Sequence, residues 1–189
     1  MASVLRELSL DDFASFLDRR ADAVSRLDFT VPLKECAVII KADVKRNFYE
    51  SHAPDGTPWL PLKRPRQGKR HQGSTPKPLL DQGILANSFF SDGAQGHIEE
   101  ITASALTVGT NDERARIHQE GGTIHQPERS RAKPWVFPTP TGEVIFTRRI
   151  KAHDVVIPAR PFAGFSAEAL SDMDGILGDF LADQLGGGA

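Results

Sequence analysis

Cysteine and tyrosine each occur only once in this 189-residue chain. The lone Cys36 excludes an intramolecular disulfide and any cysteine-based metal cluster. Long apolar runs are missing too: nothing approaches the ~20 consecutive apolar residues a membrane-spanning helix needs, so no membrane partner is expected. The opening "MASVLRELSLDDF" lacks a basic flank followed by an apolar stretch. No secretory signal is therefore expected, and a reducing cytoplasm is the expected place of synthesis. Two regions lack charge of one sign. Residues 56–80 hold Lys63, Arg64, Arg66, Lys69, Arg70 and Lys77 and no acid. Nothing basic follows Arg160, whereas Glu168, Asp172, Asp174, Asp179 and Asp183 do. A net charge of only −2 thus hides a basic middle and an acidic end. These can meet within a molecule, between copies, or against nucleic acid.

What is present reads as one α+β domain over residues 1–189. Ser9 followed by Asp12 is a capping-box pattern. Leu10, Phe13, Leu17, Val24 and Leu27 share a stripe, which predicts a helix over 10–28. Pro32 suits the first turn of a second helix, on which Leu33, Cys36, Ala37, Ile40, Val44 and Phe48 recur at helical offsets. Cys36 lies on that apolar stripe and reads as a small core filler. The helical part thus covers 9–51. "PDG" at 54–56 is a turn signal, and Trp59 gives the chain a large anchor. Residues 60–78 are basic and aperiodic, and read as a long exposed loop. Asp81 is placed as the N-cap of a short helix.

The part from 97 to 158 reads as β-rich and mainly antiparallel. "GHIEEITASALTVGT" predicts strands at 97–102 and 105–109. "WVFPTPTGEVIFTRR" predicts a hairpin with Thr141-Gly142 near its tip, and "HDVVI" one more strand at 153–157. Ser166 caps a last helix, 166–185, with Leu170, Met173, Leu177, Phe180 and Leu181 on one side, expected to pack on the sheet. Gly175 and Gly178 weaken it by up to roughly 1 kcal/mol each relative to alanine.

Chemistry-bearing side chains concentrate in "VGTNDERARIHQEGGTIHQ" at 108–126. His118 and His125, with Asp112, Glu113 and Glu120, match neither a His-Glu-x-x-His helix nor a zinc finger. Asn111, His118 and His125 invite comparison with a metal-dependent nuclease, but the strand–helix metal cradle is not visible. There is no Gly-x-Ser-x-Gly elbow, and "GGT" at 121–123 lacks the lysine of a phosphate loop. No catalytic, metal or cofactor site is expected. The basic loop could neutralise phosphates non-specifically, but Trp59 is the only aromatic close by for base stacking. Docking on acidic protein is the preferred reading, with direct DNA contact through 63–77 as the alternative.

Four phrases stand in a fixed order: "PDGTPW" at 54–59, "LLDQGIL" at 79–85, "VGTNDERARIHQEGGTI" at 108–124 and "IPARPFAGFS" at 157–166. Together they make residues 40–185 resemble the virion morphogenesis (tail-completion) family of tailed bacteriophages, which includes a Mu-like morphogenesis protein. The resemblance implies a structural protein of the virion neck or tail end, with no catalysis and no cofactor. It also implies a small α+β unit acting as copies in a ring against neighbouring neck, connector or tail-terminus proteins. The family motifs map onto Pro54, Asp55, Gly56 and Trp59; Leu80, Asp81, Gly83 and Leu85; Gly109, Thr110, Asn111, Ala115, His118, Gln119, Gly121 and Gly122; and Pro158, Ala159, Arg160, Pro161, Phe162 and Gly164. Gln82 replaces the family's usual threonine. Arg114 and Glu120 replace its usual aromatics, which suggests an ion pair at a subunit contact.

These motif residues are expected to shape a rigid corner. Gly109 and Gly121-Gly122 would supply positive-φ or close-approach positions, Asn111 the turn leaving a strand, and His118 and Gln119 hydrogen bonds across a junction. Lys63, Arg64, Arg66, Lys69, Arg70, Arg114, Glu120, Asp172, Asp174 and Asp179 are the interface candidates.

Overall fold

The structure, a computed structural model, describes residues 10–62, 77–139, 141 and 143–186. Ser9 and the basic residues Lys63, Arg64, Arg66, Lys69 and Arg70 lie outside them. Helix α1 spans Leu10–Ser25, but the stripe that predicted it is not core. Leu10 is 86% exposed, and Phe13 and Leu17 are also open to solvent.

The interior begins with α2, Thr30–Glu50. The Asp28 carboxylate accepts the Thr30 N–H at 2.8 Å and so satisfies one donor of the opening turn. Pro32 sits in that turn, where its missing N–H costs nothing. Ile40, Val44 and Phe48 of α2 then form the core with Trp59, Phe162, and Leu85, Ala86 and Phe89 of α3 (Ile84–Phe90). Cys36 is buried on the same helix, as expected, and burial pushes its thiol pKa up. In the turn after α2, the Asp55 carboxylate accepts the Thr57 N–H at 2.9 Å. That turn folds Trp59 back, edge-on to Phe48 with ring centroids 6.0 Å apart. The residue that caps α3 is Gly83, with φ 75°, and not Asp81: the chain enters α3 through a left-handed residue that glycine adopts without strain.

β1 (His97–Ile101) and β2 (Leu106–Thr110) form the expected tight hairpin. Next comes a helix the periodicity did not reveal, α4, Glu113–Glu120. β3 (Gly122–Gln126), β4 (Arg129–Pro138), β5 (Val144–Ile150) and β6 (His153–Ile157) follow. β3 pairs with β6 and β4 with β5, both antiparallel. The register Gln126↔His153 runs on into Arg129↔Ile150 without offset, so the four strands make one long two-stranded arm. Between Ser130↔Arg149 and Trp135↔Thr147 the first strand advances five residues and the second only two. Arg131 closes this irregularity, with its guanidinium 4.3 Å from the Trp135 ring centre and bonded to the Pro134 carbonyl. The fourteen residues from Val144 to Ile157 give the arm a reach of roughly 45 Å at ~3.3 Å per residue.

The α+β class holds, with helices at both ends and antiparallel strands between. Two details differ from the expectation. Among the described residues the strands pair only two by two instead of forming one sheet, and the element α5 (Ala167–Gly186) lies against is α2. The reason is polar. Buried Asp43 of α2 accepts the Ser166 N–H at 2.9 Å and its hydroxyl at 2.8 Å, while Ser166 Oγ accepts Ala169 N–H at 3.1 Å as the helix cap. Arg46 bridges Asp43 and Glu168, each at 2.6 Å.

Candidate functional site

The four motif phrases converge where the arm leaves the body. Gly121 ends α4 with φ 75°, and a Cβ there would stand 2.7 Å from the Ala159 nitrogen. The outgoing and returning strands can approach this closely only without a side chain. Gly122 opens β3 opposite Ile157. Beyond Pro158 and Ala159 the returning chain is held by three elements. The Arg160 N–H donates to the His118 carbonyl at 2.7 Å. The Gln119 carboxamide oxygen accepts the N–H groups of Phe162 at 2.9 Å and Ala163 at 3.0 Å, and its NH2 donates to the Ala163 carbonyl at 2.8 Å. Trp59 Nε1 donates to the Pro161 carbonyl at 2.9 Å, and Asn47 Nδ2 to that of Phe162 at 3.1 Å. Phe162 itself is buried, its ring 4.9 Å from that of Phe48. A Cβ on Gly164 would meet Pro54 at 2.8 Å, so the last phrase lies directly on the first.

Beside this node a cavity of about 330 Å³ is walled by Leu62, Asp81, Gln82, Arg114, His118 and Arg160, among others. Arg160 is 6% exposed, and its Nε and Nη2 donate to the Leu60 carbonyl at 3.2 and 3.0 Å. Burial lowers its pKa. His118 is also held below its ordinary value, first by burial and then by the charges of Arg160 and Arg114, with Asp112 opposing. His118 Nδ1 is buried and has no hydrogen-bond partner among the described residues. Arg114 is tied to Asp112, which holds that carboxyl below its usual range.

Several sequence expectations are corrected here. Gly109 lies in β2 with open space where a Cβ would be, so it supplies neither a close approach nor a positive φ. The side chains that shape the exit from β2 are those of Thr110, whose Oγ1 accepts the Asp112 N–H at 3.0 Å, and Asp112, which caps α4 by accepting the Arg114 N–H at 2.9 Å, and not Asn111. Asn111 instead donates its backbone N–H to the Gly96 carbonyl at 2.9 Å. His118 joins the junction through its backbone carbonyl and not through its ring. Within the chain Arg114 pairs with Asp112, and Glu120 meets Arg116 at 3.2 Å. α4 was detectable from its caps, Asp112 before it and Gly121 after it, although eight mainly polar residues show no apolar stripe.

His125 is out on β3, paired with Asp154 at 2.7 Å, away from α4. Among the described residues, the grouping of metal-type ligands is instead Asp92, His97 and Glu99. Lys41 lies 2.8 Å from Asp92 and 2.7 Å from Glu99, so its ammonium already supplies the cation these carboxylates need. Asp172, Asp174 and Asp179 are exposed along α5.

The motif node has a counterpart among known families. The model of the phage virion morphogenesis family matches residues 9–182. The chain belongs to that family. The match takes in α1, which the four phrases alone left outside, and identifies the chain as a protein of phage virion morphogenesis. No curated protein and no solved structure matches it. In this member of the virion morphogenesis family, the shared phrases meet around a packed backbone junction at the base of an arm. No helix among the described residues is long and apolar enough to cross a membrane.

Proposed function

We propose that the chain is a structural subunit of the phage neck or tail end. It completes the tail and joins it to the head as copies in a ring, through protein contacts and without catalysis or a cofactor. Its place is the virion, reached from the host cytoplasm during assembly. The observation that carries this reading is the outer half of the arm. β4 and β5 pack mainly on each other. Opposed Val136 and Phe146, with Val144, give one face an exposed apolar surface, and opposed Phe137 and Ile145 give the other face the same. Strands that are apolar on both faces are normally covered on both, so the arm has the character of an element buried between neighbours.

Closed rings join two different patches of each subunit, which an arm and a body provide. Apolar arm residues would supply affinity. Exposed charges such as Asp172, Asp174 and Asp179 set register, since exposed ion pairs contribute only about 0–1 kcal/mol each. Many such contacts around a ring then act by avidity. The DNA-contact alternative rests on 63–77, of which the described part is Lys77, bonded to the Tyr49 carbonyl.

The test is complementation of a phage lacking this chain with the Phe137→Ser, Phe146→Ser double variant. The expected result is an unchanged melting temperature with heads and tails left unjoined. Normal particles would overturn the reading.

A further inference from the structure

The cavity beside the node holds a buried cation, Arg160, that forms no ion pair among the described residues. Arg160 is bonded to one neutral carbonyl, that of Leu60, and to no carboxylate among the described residues. Arg114 across the cavity is already matched by Asp112. His118, the third basic wall residue, is driven toward its neutral form first by burial and then by the charges of both arginines. Asp81 also walls the cavity but is exposed and forms no ion pair with Arg160, and the chain from Leu62 to Leu80 contains no Asp or Glu. A buried guanidinium lacking an anion is destabilising, and its planar fork fits one ligand class best, a carboxylate taken by parallel N–H bonds.

We propose that this cavity is a carboxylate pocket, filled in the assembled ring by an acidic side chain of α5 from a second copy. The inference rests on the ring reading above and deepens it. At about 330 Å³ the cavity admits a side chain, whereas a duplex backbone is too broad to reach a guanidinium that is 6% exposed. The donor is named by charge complementarity. α5 carries exposed Asp174, Asp179 and Asp183, and no base follows Arg160 in the sequence. In their own chain these residues lie on a helix packed against α2, whereas the pocket is walled from α3, α4 and the segment after β6. The contact is heterologous, pocket to helix, as ring closure requires.

Interchain disulfide trapping in the full-length protein tests this. Gln82→Cys, exposed on the pocket rim, is mixed with chains carrying Asp174→Cys, Asp179→Cys or Asp183→Cys. Cys36 is buried and stays out of the exchange. One of the three pairs is expected to cross-link under mild oxidation. The matching Asp→Asn change should weaken self-association in sedimentation by about thirtyfold or more, as losing one member of a desolvated interfacial charge pair does. Arg160→Gln should do the same and Arg160→Lys much less. If Arg160→Gln fails to fold, the cross-link and the Asp→Asn change decide. Assemblies that form with no cross-link, or that tolerate all three Asp→Asn changes, overturn the pocket and leave the ring reading standing. A chain that is monomeric at every concentration and forms no ring in particles overturns both.

Discussion

The carboxamide oxygen of Gln119 accepts the backbone N–H of Phe162 at 2.9 Å, while its NH2 reaches the carbonyl of Ala163 at 2.8 Å. One side chain of α4 therefore fixes the strand end that returns from the arm. Gln119→Ala would leave the N–H groups of Phe162 and Ala163 without that partner, at a cost of about 2–3 kcal/mol. Urea unfolding should show it as a lower midpoint with an unchanged slope. Gln119→Glu should recover only part, because a carboxylate still accepts both N–H groups but faces the Ala163 carbonyl with no donor.

Asp43 decides where α5 goes. It is buried and accepts hydrogen bonds from Ser166 N–H, Ser166 Oγ and Arg46. Asp43→Ala strands these donors and should cost about 3 kcal/mol. Hydrogen exchange should show α5 amides losing protection first, while those of the α2–α3 core are retained. Equal loss across both helices would contradict this account of the docking.

Glycines in two places should respond to alanine with opposite sign. Gly121→Ala places a Cβ 2.7 Å from the Ala159 nitrogen at a φ of 75°, and should destabilise the fold by about 2 kcal/mol or more. Gly175 and Gly178 lie in α5 with open space around a Cβ, so Gly175→Ala and Gly178→Ala should each stabilise by up to ~1 kcal/mol. Thermal melting of the three variants separates the cases.

His118 should make stability depend on pH below neutrality. Its folded-state pKa lies below the ordinary 6.5, so between those two values the unfolded chain binds the proton and the folded chain does not. Stability is therefore lost as pH falls through 6.5 and levels off below the folded value. Urea midpoints from about pH 7.5 to about pH 5.5 should fall more steeply for the native chain than for His118→Gln. Parallel profiles would show that the imidazole titrates as it does in water.

Periodicity, caps and turn chemistry read along the chain were enough for α2, the β1–β2 hairpin, the β4–β5 hairpin and β6, and for the Ser166 cap. They are properties of a few neighbouring residues, so the sequence alone determines them. The stripe Leu10–Phe13–Leu17 predicted its helix correctly, yet those side chains face solvent. A periodic apolar face states that a partner is favoured and says nothing about which element supplies it. The same holds for the arm, where "VIF" and "WVF" mark strands but not what covers them. Only the tertiary structure decided that Gln119 reads the backbone 43 and 44 residues away, that α5 lies on α2, and that Arg160 is buried against the Leu60 carbonyl. Those are long-range contacts, fixed by which surfaces exclude water together once the chain has closed, and local patterning carries no record of them.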